Sequence, residues 1–145
     1  YGRVPPRPGV HAFFPLPSGA SACKRLNLFL RWMVRRDDID LGAWRRVSPA
    51  RLIVPLDVHL IRVARCLGLT RYASPGWRMA ASITASLRQI DPSDPVKYDF
   101  ALCHLGMEGL CGFRMPAGDS RCPLRGVCRP RARRRPGSHR PSRPR

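Results

Sequence analysis

At 145 residues the chain has room for one domain with a real core and hardly for two. Its 27 Lys+Arg outweigh 9 Asp+Glu to give +18 at pH 7. No run approaches the ~20 apolar residues of a membrane span and no leader pattern opens the chain, which sets membrane insertion aside and points to the cytoplasm or the nucleoid. The charge leaves a polyanion as the leading partner, although only two of the 27 cations, Lys24 and Lys97, are lysine. With 16 prolines, that skew is as much the mark of GC-rich coding as of selection for charge.

In chain order, residues 1–17 are an irregular lead-in holding five prolines, and they begin at Tyr1 in the manner of an N-terminally truncated chain. Residues 18–110 read as helices with short connections. Ser21 caps a helix running to about residue 36, with Leu26, Phe29, Leu30 and Met33 at helical spacing. A helical turn is predicted around residues 43–47, and Ser48-Pro49 is a cap followed by a first-turn proline. Asp57 opens a helix carrying Leu60, Ile61, Val63, Ala64 and Leu67, which Gly68 stops. Ser74-Pro75 starts another to about residue 90, and Asp94-Pro95 a last one to about residue 105. No segment alternates with period two, so the fold is all-α.

Residues 111–128 form a Cys-containing loop, and residues 129–145 a disordered tail with eight arginines among Pro, Ser and Gly. That tail is either a basic arm for nucleic-acid phosphates or the product of translation past a frameshift. Subtracting its eight charges from +18 still leaves +10.

Two residues carry the chemistry. An isolated lysine after a cap is an ordinary solvated residue, yet Lys24 stands where the chain elsewhere uses arginine, and arginine cannot shed a proton to act as a nucleophile. A helix N-terminus and the neighbouring Arg25 both disfavour its charge. A neutral amine there is a nucleophile. Asp57 at an N-cap stays ionised. Facing each other, the two form a working pair for chemistry at a sugar carbon.

The run Pro55-Leu56-Asp57-Val58-His59-Leu60-Ile61-Arg62-Val63 resembles the V-D-T-H-x-x-R-V segment of the helix-hairpin-helix DNA glycosylases, the endonuclease III superfamily. Lys24 with Asn27 resembles that family's K-T-A-N segment. The runs 21–35, 40–44 and 94–102 look more closely like a bacterial family of unassigned function, itself a distant relative of the glycosylases. The resemblance spans roughly residues 15–128.

It implies the C-terminal part of a glycosylase-like helical domain, with Lys24 as Schiff-base nucleophile and Asp57 as catalytic carboxylate. The implied partner is duplex DNA, met by a monomer through Ser18, Gly19, Ser21, Arg25 and His59. The glycosylase hairpin L-P-G-x-G-x-K is replaced by Leu16-Pro17-Ser18-Gly19-Ala20-Ser21-Ala22-Cys23-Lys24, two residues longer and with one glycine. The Lys-to-Asp connection is also longer than in endonuclease III, as in the archaeal-type 8-oxoguanine glycosylases.

Against the family's C-x6-C-x2-C-x5-C loop, Cys111, Cys122 and Cys128 take the first, third and fourth ligand places of a 4Fe-4S cluster. Asp119 falls in the second, and Cys103 is a substitute for it. Zinc on three thiolates with His104 or Asp119 is a second reading, and no metal a third. Cys23 and Cys66 read as helix packing residues, as do Phe29, Trp32, Trp44 and Tyr98, with base stacking as the alternative. The functional readings are a base-excision glycosylase and abasic-site lyase, a non-catalytic nucleic-acid-binding module or inactive fragment on the same scaffold, and a basic ribosome-associated protein.

Overall fold

The computed structural model describes residue 9, residues 14–111 and residues 122–128, and four helices organise residues 14–111. They are α1 (Lys24–Val34), α2 (Val58–Leu67), α3 (Trp77–Arg88) and α4 (Asp99–Met107), with 3-10 turns at Pro17–Gly19, Pro49–Arg51 and Pro95–Tyr98. Among the described residues there is no strand, only an isolated bridge between Arg36 and Leu41. The fold is all-α.

The core follows the helical periods of α2 and α3. Leu60, Ile61 and Ala64 of α2 meet Met79, Ala80, Ile83 and Leu87 of α3, and Val34 and Val96 close the cluster. The extended run 52–57 feeds Leu52, Val54 and Leu56 into the same cluster. It is pinned there by Thr84, whose Oγ1 donates to the Ala80 carbonyl at 2.8 Å and accepts the Val54 N–H at 3.1 Å. That pairing satisfies a backbone donor of a non-helical segment buried in the core. A smaller cluster of Val63, Leu105 and Cys111 lies between α2 and α4. Those helices approach closely at Gly106, where a Cβ would lie 2.8 Å from the His59 Cβ.

α1 departs from its expected orientation. The stripe of Leu26, Phe29, Leu30 and Met33 is exposed or half-buried, and the face turned inward is Asn27, Arg31 and Val34. Polar residues are buried there because each has its partner. Asn27 Nδ2 donates to the Ala22 carbonyl at 3.1 Å, and Arg31 donates from Nε to Asp40 at 3.1 Å and from a terminal nitrogen to Asp99 at 2.6 Å. Arg35 extends the network to Asp40, Asp37 and Asp94. Two guanidiniums thus hold four carboxylates and tie α1 to the loop behind it and to the start of α4. Removing one member of such a buried set strands its partners' charges and typically costs ~3–5 kcal/mol.

Three boundaries shift for local reasons. Residues 43–47 form no helix: the N–H groups of Gly42 and Trp44 turn back to the carbonyls of Trp32 and Met33, at 3.0 and 2.7 Å. α3 begins after Gly76 rather than at Ser74-Pro75, because Gly76 lies against the Ala20 carbonyl, 2.7 Å from where a Cβ would stand. α1 begins after Cys23 in a left-handed conformation (φ 49°), while Ser21 Oγ accepts the Cys23 N–H at 3.1 Å instead of capping the helix. Cys23 is accordingly the buried residue before α1, its thiol donating to the Pro15 carbonyl at 3.0 Å. No helix among the described residues is long and apolar enough to cross a membrane. The tail 129–145 and most of the lead-in lie outside the described residues.

Candidate functional site around Lys24 and Asp57

The first residue of α1 meets the residue that caps α2. Lys24 Nζ donates to Asp57 Oδ2 at 2.5 Å, across 33 residues of chain. Asp57 stands in extended backbone at the N-cap, and its Oδ1 accepts the His59 N–H at 2.8 Å, so one oxygen caps the helix and the other faces the amine. The carboxylate is shielded, with 19% of its side chain exposed, while Lys24 keeps 50%.

α4 adds a third contact: the Cys103 thiol donates to Asp57 Oδ1 at 3.7 Å. One turn before it on the same helix, Asp99 holds Arg31. These charges set each other's titration. Burial raises Asp57, but the hydrogen bond and charge of Lys24 and the His59 N–H outweigh it and hold the carboxyl below its usual range. Asp99 is pushed up to about 6 by burial, against the pull of Arg31 and with the charges of Asp57 and Asp40 adding to the rise. Burial likewise pushes the Cys103 thiol up to about 11, with Asp57 and Asp99 reinforcing it. Cys103 therefore keeps its proton at neutral pH and is a hydrogen-bond donor to Asp57.

The other candidates are placed less centrally. Ser18 and Gly19 lie exposed on the Pro17–Gly19 turn, Ser21 is half-buried, and Arg25 is exposed on the first turn of α1. His59 packs its Cβ against Gly106, and its Nδ1 is buried without a hydrogen-bond partner. Phe29, Trp32 and Trp44 are exposed by 40–44% rather than buried, Phe29 and Trp44 meeting edge to face at 5.7 Å, whereas Tyr98 packs on the core.

Among the described residues no three His, Cys, Asp or Glu side chains come together as metal ligands. Cys111 instead lies with its sulfur 3.6 Å from that of Cys66. Cys122 is buried, Cys128 half-buried, and Asp119 lies outside the described residues.

The pair is suited to moving a proton between nitrogen and oxygen at an exposed position. An amine can attack carbon only after losing a proton, and Asp57 Oδ2 is the acceptor within reach. Cys103 and Asp99 were not singled out with it by sequence. Their signal is the i, i+4 spacing on α4, visible only once α4 is known to face Asp57.

The chain belongs to a family of proteins of unknown function, DUF2400, whose model matches residues 5–108. No curated protein and no solved structure matches it. Nothing in these comparisons links the family to the glycosylases.

Proposed function

We propose that the chain is a DNA-binding protein of the base-excision type, with Lys24 the nucleophile of a glycosylase and abasic-site lyase and Asp57 its carboxylate. The observation that carries this reading is the 2.5 Å contact between Lys24 Nζ and Asp57 Oδ2, made by two residues that sequence pattern alone marks as nucleophile and carboxylate. Duplex DNA is drawn by the basic surface and the target nucleotide is extruded to reach the amine.

Lys24 yields a proton to Asp57, its nitrogen bonds to C1′ as the bond from C1′ to the base breaks, and Asp57 passes that proton to the departing base and returns to the carboxylate. Opening of the sugar ring gives an imine between Lys24 and C1′. Loss of a C2′ proton then expels the 3′ phosphate and nicks the strand. Asp57, fixed by its cap, is again a carboxylate once that proton has passed on, and it stabilises positive charge on the protonated imine. Such a positioned group contributes about 10²–10⁴-fold.

The second reading is a non-catalytic nucleic-acid-binding module. It is favoured by the same contact, since a half-exposed lysine and a capping aspartate also make an ordinary ion pair joining two helix starts.

Borohydride trapping on a duplex carrying an abasic or 8-oxoguanine site separates them. A covalent adduct in the wild type, absent in Lys24→Ala, is the expected result. Salt-sensitive binding with no adduct overturns the enzyme and leaves the module. Lys24→Ala should move stability by less than about 1 kcal/mol, as for other part-exposed pairs, so a lost adduct reports chemistry rather than unfolding.

A further inference from the structure

Residues 58–90 contain five arginines and no Asp or Glu, in a chain whose acids otherwise cluster at 37–57 and 91–119. Two adjoining clefts open on this acid-free stretch. One, of about 600 Å³, runs between the Pro17–Ala20 turn and the segment 72–78; the other, of about 560 Å³, is lined by Arg71, Tyr72, Trp77 and Arg78. Tyr72, Trp77 and Arg78 belong to both. Each is of a size that holds a nucleotide-like ligand.

The walls are held in place. Leu69 accepts from Ser86 Oγ at 2.8 Å, Ala73 accepts from Arg65, and Gly76 rests on the Ala20 carbonyl. Tyr72 nevertheless exposes 47% of its surface, a large aromatic ring left in water. Rings beside guanidiniums in an acid-free groove are what a single strand requires: charge for its phosphates and flat faces for its bases.

We propose that this groove binds an unpaired stretch of nucleic-acid strand, with Arg71 and Arg78 on phosphates and Tyr72 and Trp77 stacked on bases. It deepens the DNA-binding reading and rests on it, but not on the chemistry of Lys24. A duplex hides its base faces, so the groove acts where a strand is opened.

The test is fluorescence anisotropy of the full chain with labelled dT15, rU15, a 15-mer of abasic spacer phosphates and a duplex. Expected is tighter binding of dT15 or rU15 than of the spacer, by about 5- to 100-fold. Whichever of the two binds tighter names the source of the strand. Tyr72→Ala, exposed enough to leave the fold intact, should erase most of that preference, while Arg78→Gln weakens all four probes. Quenching of tryptophan emission by dT15 should fall in Trp77→Phe.

Equal affinity for dT15 and the spacer, or a preference that survives Tyr72→Ala, overturns the groove. If duplex binding persists in that case, the DNA-binding reading stands. A chain that binds none of the four overturns both.

Discussion

Asp99 is buried among charges of its own sign. Asp57 and Asp40 are near it, and Arg31 offsets them only in part, so its pKa rises from 3.8 to about 6. Between those values the folded chain holds a proton that the unfolded chain has released. Stability therefore falls as pH rises from about 4 to about 6. Asp57, lowered by Lys24, acts in the other direction, contributing above pH ~4 and losing that contribution as pH falls through its depressed value. The two windows do not overlap. In Asp99→Asn, which keeps an oxygen for Arg31, the loss between pH 4 and 6 should disappear. The stability gap between variant and wild type should change by about 2–3 kcal/mol across that range, read from denaturant unfolding at each pH. A slope retained in the variant would assign the proton to another group.

Helix boundaries were legible where the signal is local and illegible where a partner is distant. Asp57 and Gly68 bracket α2 as expected because a capping carboxylate and a left-handed glycine act within one turn. The inward face of α1 was not legible, since Arg31 is buried by virtue of carboxylates 9 and 68 residues away. The Lys24–Asp57 pair could be anticipated from residue type, whereas Cys103 needed the α2–α4 contact to be known. That contact is also the place where an element-scale change should be felt. Gly106→Ala would place a Cβ 2.8 Å from the His59 Cβ and 3.0 Å from the His59 carbonyl oxygen, both on a helix that cannot yield freely. We expect a loss of about 1–3 kcal/mol in unfolding free energy, in the range of other overpacked cores, despite alanine's better helix propensity. An unchanged midpoint would show that α2 and α4 slide apart at small cost.

Across the whole molecule, 27 Lys+Arg face 9 Asp+Glu, an excess of +18. The network buries charge evenly, the guanidiniums of Arg31 and Arg35 against the carboxylates of Asp40 and Asp99, while Asp37 and Asp94 stay partly exposed, so it leaves that excess unchanged. Binding of duplex DNA should accordingly depend steeply on salt, weakening by about 10³–10⁵-fold between 50 and 200 mM if 6–10 phosphates are neutralised. A shallow slope in a titration would mean that few phosphates are touched.

The scarcity of lysine has a chemical corollary. The chain has two ε-amines, and each is paired with an aspartate: Lys24 with Asp57 and Lys97 with Asp91. An amine-selective acylating reagent therefore meets only two side-chain targets. Its rate at Lys24 relative to Lys97 is an internal gauge of how readily the candidate nucleophile releases its proton, with the second pair as a built-in reference.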